Sequence, residues 1–361
     1  MLRIIYKKDN KADFFFTVQE RVNAYFNSGK ISKKTNAFGI FKAVFFCIVY
    51  AVLYSFTLLA NGNNGLLLTS FTLMGFIQIC IVLNLGHEGA HSNFSNRKWV
   101  NKLLCYSFDL IGSSGYLWKM RHVYSHHQYP MIPEYDVDIQ QTGTLTFQPL
   151  KYPKPFFRYQ KFYAPFLYCF FTINAILKRD FKDFFSGKIG IKKISHTRLD
   201  YILFILSKIL YFTYILILPI FLSGSSVATV LLGFLCMHIT ASLTAVVALF
   251  PAHLYEDSIF PQPNEKGEIN TTWAEHQMRV TMDFGTGSPL VAFFFGGINY
   301  HAVHHLFPSI AHVHFPVIRK IVQSTADEFG IPYNQKSLSS ALYSHWLLLD
   351  KNGMAHMDEF I

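Results

Sequence analysis

Four runs of about 20 mainly apolar residues constrain this 361-residue chain more than any other feature. They are 39–60, 65–86, 201–222 and 227–250, and Lys42 and Lys208 are the only charges within them. A helix of that length spans the hydrocarbon core of a bilayer and satisfies its own backbone there. The runs come in two close pairs, joined by Asn61-Gly62-Asn63-Asn64 and by Ser223-Gly224-Ser225-Ser226. Buried helices of a soluble protein are the alternative, and the pairing speaks against them. The expected fold is an all-α integral membrane protein: four transmembrane helices in two hairpins, with a helical cap outside the bilayer.

Charge sets the expected orientation. The net charge is +10, which in a soluble chain would raise nucleic acid as a partner. Here the first 38 residues hold eight Lys/Arg, residues 87–200 hold sixteen, and the two short linkers hold none. That asymmetry places both termini and the central segment in the cytoplasm, next to anionic lipid rather than nucleic acid. Residues 1–38, 87–200 and 251–361 then lie outside the bilayer on one side, within a single domain spanning 1–361. Segments 102–116 and 156–177 are apolar but interrupted, as in helices lying in the membrane interface. Residues 14–26 show helical spacing of apolar positions. The five cysteines stand alone and read as small buried hydrophobes. No signal peptide is evident at the start.

Sixteen histidines are present, and eight fall in three clusters outside the apolar runs. They are His87-Glu-Gly-Ala-His91, His122-Val-Tyr-Ser-His126-His127 and His301-Ala-Val-His304-His305. Residues three or four apart share a helix face, so each cluster can present two or three imidazoles to one place. Eight such ligands exceed what one four-coordinate zinc uses and suit two metal ions. Imidazole serves iron, zinc and copper, so ligand type alone does not name the metal. The first cluster also matches HExxH, the zinc metalloprotease pattern with Glu88 as general base. That reading leaves the other two clusters without a role. A transporter or metal-handling protein would carry polar residues along its membrane helices, which are apolar here.

At these residues the chain resembles the membrane fatty acid desaturases. GHEGAHS, RHVYSHHQYP, GGINYHAVHHLFPSI, FGIPYN and VNAYFNSGKISKKTN are similar to a bacterial linoleoyl-CoA-desaturase-like branch related to front-end enzymes. The resemblance implies an O2-dependent enzyme of the bacterial inner membrane that places a cis double bond in an acyl-CoA or acyl-lipid. Two iron ions would be its cofactors and O2 its co-substrate. It also implies a ninth ligand, His253, beside His87, His91, His122, His126, His127, His301, His304 and His305. Front-end enzymes usually start the third box with Gln, and this chain has His301 there. No HPGG motif marks a fused cytochrome b5 domain, so electrons are expected from ferredoxin or from a separate cytochrome b5 with its reductase. Lipid or carotenoid hydroxylases and ketolases share the scaffold and form the nearest alternative.

Other side chains have expected roles. Asn84, Glu88, Asp136, Asp138 and Asn299 are candidate acceptors for the outer nitrogens of ligating imidazoles. His276, His312 and His314 are further candidates for that outer layer. His238 is read as packing or as lining an acyl tunnel, and His196, His345 and His356 as surface or interface residues. Lys119, Arg121 and Arg279 are candidates for holding a phosphate, and Trp118 and Trp273 for lining the tunnel entrance.

Overall fold

The computed structural model describes residues 3–8, 13–140, 142–150 and 152–354. Helices dominate, and strands among the described residues form three two-stranded pairs. The chain divides into two compact units. One comprises Ala37–Met120 and Phe166–Val246; the other comprises Met1–Asn36, Arg121–Pro165 and Val247–Ile361.

The four expected apolar runs are helices: Ala37–Leu58, Asn64–Ala90, Arg198–Leu222 and Val227–Ala252. Their starts have local causes. The Asn63 side chain accepts from Leu66 N at 3.0 Å, and Thr197 and Asp200 cap reciprocally. Glycine lets two of the helices close on each other. A Cβ on Gly75 would sit 2.2 Å from the Met237 carbonyl oxygen, and one on Gly233 would sit 2.4 Å from the Phe71 ring. The two uncharged linkers also meet, Gly62 N donating to Ser223 O at 2.8 Å.

Both membrane lysines are buried. Lys208 Nζ lies 2.7 Å from Asp180 Oδ2 and 2.5 Å from the Gly112 carbonyl, and Ser114 N donates to the same carboxylate oxygen at 2.8 Å. This buried pair fastens the segment around Gly112 and the short helix Asp180–Phe185 to the third membrane-length helix. His238 is a packing residue. It is wholly buried, with Nε2 2.7 Å from the Tyr211 hydroxyl and Nδ1 2.9 Å from the Thr172 hydroxyl. Cys80 alone among the cysteines is buried and Cys47 is exposed, so the reading of five buried thiols holds for one. Segment 102–116 contributes to the short helices Lys98–Cys105, Ser107–Leu110 and Gly115–Arg121, leaving Trp99 and Leu103 exposed.

In the other unit the helix Phe14–Gly29 buries Phe14, Val18, Val22 and Phe26, one residue per turn. These pack in one core with Ile318 and Val322 of Phe315–Glu328 and with Val303 and Leu306. Each such side chain contributes about 1.5–3 kcal/mol on burial, and the helix expected from the spacing at 14–26 is part of the core. Two parallel strand pairs brace the unit: Ile5–Lys7 with Glu268–Thr272, and Asp283–Phe284 with Gln335–Lys336.

Candidate metal centre

The second histidine cluster is not an α-helix. His122–His126 is a π-turn, closed by His127 N donating to His122 O at 2.9 Å. Bonding between residues five apart brings the first and sixth residues of the turn onto one side. His122 and His127 accordingly meet, Nε2 to Nε2, at 3.1 Å. His126 stacks on His122 and also reaches a second group of rings, its centroid 4.6 Å from that of His253 and 5.0 Å from that of His305, so one turn feeds two imidazole clusters.

The third cluster is the short helix His301–Leu306, and its three histidines are buried. Its start is fixed by Asp283, whose Oδ1 accepts from Ala302 N at 2.9 Å. Burial pushes the Asp283 carboxyl up to about 6, against the pull of the Tyr333 hydroxyl, the Ala302 amide and Arg319. Tyr333 donates to the other oxygen of the same carboxylate. His304 Nε2 lies 2.9 Å from His127 Nε2, which joins it to the His122–His127 pair. His301 and His305 join His253, with Nε2–Nε2 separations of 2.7 Å (His301–His253), 3.2 Å (His253–His305) and 3.1 Å (His305–His301), and His305 also stacks on His127 with ring centroids 4.3 Å apart. His126 completes this group; ligand atoms of the four residues all lie within 4.8 Å of one another.

The outer nitrogens reveal the tautomers. His253 Nδ1 faces the Val280 carbonyl at 2.8 Å and His301 Nδ1 the Ile298 carbonyl at 3.0 Å. A carbonyl only accepts, so both rings carry their proton on Nδ1. His126 Nδ1 faces Asp136 Oδ2 at 3.0 Å, and His305 Nδ1 faces Gln277 Oε1 at 2.8 Å. Burial, then the neighbouring imidazoles, push His253 and His305 well below the usual histidine range, so both rings are neutral. The Nε2 atoms of His253, His301 and His305 are then bare lone pairs facing one another. Three lone pairs that close repel unless a cation lies among them. Two donors each about 2.1 Å from one ion, at angles from about 90° to tetrahedral, stand about 3.0–3.4 Å apart, close to the separations found. The donor set fits a metal ion, and the His122, His127 and His304 group offers a second place of the same chemistry.

His87 and His91, in the unit of apolar helices, end the second membrane-length helix beyond another π-turn, Val82–Gly86. Their ring centroids are 4.7 Å apart, and Trp118 stands edge-on to His87 while stacking on Phe108.

The expected outer-layer residues divide. Asp136 has the expected role: it accepts from His126 and is held by the Met131 and Asp138 amides at 2.9 Å each. Asp138 is exposed, with an oxygen within 4.8 Å of His122 and His126 ligand atoms. The Asn84 amide donates back to the Cys80 carbonyl at 2.8 Å, and the Asn299 side chain is buried without a hydrogen-bond partner. His276 donates to the Pro130 carbonyl at 2.9 Å and packs on Tyr6; its neighbour Gln277 is the residue that reaches a cluster histidine, His305. His314 bonds the Lys34 carbonyl and packs on Phe26. His345 is buried against the Leu254 carbonyl and His196 stacks on Phe184, so neither is a simple surface residue. His356 lies outside the described residues. Arg279 is paired with Glu275 at 2.8 Å, and Trp273 packs edge-on to Phe15. No motif marks Gln277; only its place beside His276, in a short amphipathic helix, pointed near it.

Residues 63–337 match the family model described as fatty acid desaturase. Over 356 residues the chain is 30% identical to the acyl-lipid (8-3)-desaturase of Physcomitrium patens, covering 97% of this chain and 73% of that protein. It is 29% identical to the sn-1 linoleoyl-lipid 6-desaturase of Synechocystis sp. over 352 residues, 97% and 98% of the two chains. Delta(5) fatty acid desaturase A of Dictyostelium discoideum is 30% identical over 361 residues, covering 95% of this chain and 75% of that one.

Proposed function

The chain belongs to the fatty acid desaturase family, and we propose from that premise that it is an O2-dependent di-iron enzyme placing a cis double bond in an acyl chain carried by a lipid or by CoA. The observation that carries this reading is the pair of buried imidazole clusters built from the second and third histidine boxes and His253. An unactivated methylene has no acidic proton, so the hydrogen-abstracting chemistry comes from iron and dioxygen when bound. We assign as ligands His87, His91, His122, His126, His127, His253, His301, His304 and His305.

The chain's own residues orient and exclude. Asp136, Gln277 and the carbonyls of Val280 and Ile298 each occupy an Nδ1 atom, aiming the Nε2 lone pairs at one point. The burial of those rings keeps bulk water from the reacting centre. Apolar helices supply the surface along which an acyl chain lies, and position along the chain decides which carbons react. An acyl-lipid is the favoured carrier, because the Synechocystis relative aligned over 98% of its length is named for a lipid-linked linoleoyl group. That relative also favours a bond on the carboxyl side of existing ones, despite His301 in place of Gln. Electrons would come from ferredoxin, or from cytochrome b5 with its reductase. The positive-inside pattern favours termini and histidine boxes in the cytoplasm of a bacterial inner membrane.

Wild type and His304→Ala expressed in a bacterial host fed linoleic acid, with a ferredoxin and its reductase co-expressed, provide the test. Gas chromatography–mass spectrometry of derivatised acyl chains should show a product two mass units below the precursor in wild type only. A product sixteen units heavier would move the assignment to a hydroxylase.

A further inference from the structure

We infer, on the di-metal reading above, that Gln277 is a positioning residue that sets the tautomer of His305 and keeps a second negative charge out of the centre. Gln277 is wholly buried in the helix Trp273–Val280, where an unbonded amide would be costly. Both ends of the amide are used. Its Nε2 reaches the main-chain carbonyl of His127 at 3.5 Å, a long bond, and that carbonyl can only accept. The amide is thereby oriented with Oε1 toward His305 Nδ1, at 2.8 Å. An acceptor there requires the proton on Nδ1 and leaves the Nε2 lone pair facing His253 and His301.

Gln277 is singular within its group. His253 and His301 rest on main-chain carbonyls, which no substitution alters, and His126 rests on a carboxylate. Gln277 is therefore the one neutral side chain among the four acceptors. A carboxylate at this place would draw the Nδ1 proton, make His305 a stronger donor and favour the oxidised metal. It would also add a second buried charge beside Asp136.

The segment 277–283 is built to hold this arrangement. Thr281 Oγ1 donates to the Gln277 carbonyl at 2.8 Å, and Met282 N donates to the Ala252 carbonyl at 2.8 Å, next to His253. Val280 and Asp283 then back His253 and the start of the third box. One stretch of seven residues supports three ligands from behind, and Gln277 is the member whose side chain touches a ring.

The test is metal binding and spectroscopy, independent of turnover. Wild type, Gln277→Leu and Gln277→Glu would be purified in detergent and loaded anaerobically with ferrous iron. Iron per chain, Mössbauer parameters and midpoint potential would then be measured. Wild type should take two irons. Gln277→Leu should bind one of them about 10–100-fold more weakly, and Gln277→Glu should keep both with a more negative potential. Leu and Glu variants that match wild type in affinity, Mössbauer parameters and potential would overturn the role. If Gln277→Leu does not fold, the near-isosteric Glu variant decides by its potential alone. Wild type that takes up no iron would overturn the di-metal reading, and the role of Gln277 with it.

Discussion

Asp136 gives the His126 ring an anionic acceptor and is itself pinned by two main-chain amides, so it has little freedom to swing away. Asp136→Asn keeps the shape and removes the charge. Metal affinity should fall about 10–100-fold, measured by competition with a chelator. His276→Gln, by contrast, alters a ring bonded to the Pro130 carbonyl and should leave metal content unchanged in the same assay. The histidine clusters were legible from sequence because their members recur three to five positions apart. His253 was legible only through family resemblance, standing alone after Pro251-Ala252. Outer-layer acceptors were mostly illegible: an imidazole Nδ1 is satisfied by any nearby oxygen, and two of the four here are main-chain carbonyls with no side-chain signature.

The membrane-length helices were readable almost to their ends, since twenty apolar residues have few alternatives to spanning lipid. The expected second run stopped at 86, whereas its helix continues into the first histidine box, ending at Ala90 with His91 as its cap. Hydropathy ends where the histidines begin, and the helix does not. The two π-turns beside the histidines, Val82–Gly86 and His122–His126, were not foreseen, because periodicity assumes the α repeat throughout. Lys208 looked like an isolated charge in an apolar run, and its partner Asp180 lies 28 residues earlier in sequence. Removing one partner of a buried pair costs about 3–5 kcal/mol. Asp180→Asn should therefore lower the unfolding midpoint in detergent markedly. The double variant Asp180→Leu with Lys208→Met should recover most of the loss in the same thermal scan.

For the molecule as a whole, buried neutral histidines set a floor on the pH it tolerates. Burial pulls His345 from its ordinary 6.5 down to about 4, against the bond to Leu254, and does the same to His276. The folded chain keeps both rings neutral, while the unfolded chain protonates them once pH falls below 6.5. Their stabilising contribution is full above that value and drains away as pH falls toward 4. Metal-free protein in detergent should show that decline in its unfolding midpoint, and His345→Gln should make it shallower. At this scale the sequence revealed membrane class and histidine boxes, because both follow from composition and spacing. It did not reveal the helix Phe14–Gly29 as part of the core around the third box, since that packing joins residues nearly 300 positions apart. The π-turn at His122–His126 carries a further consequence, for assembly. The turn feeds both histidine clusters, as does the short helix His301–Leu306, so two candidate metal seats are shaped before any metal arrives. Metal titrated into the apoprotein in detergent should therefore leave the far-ultraviolet circular dichroism unchanged.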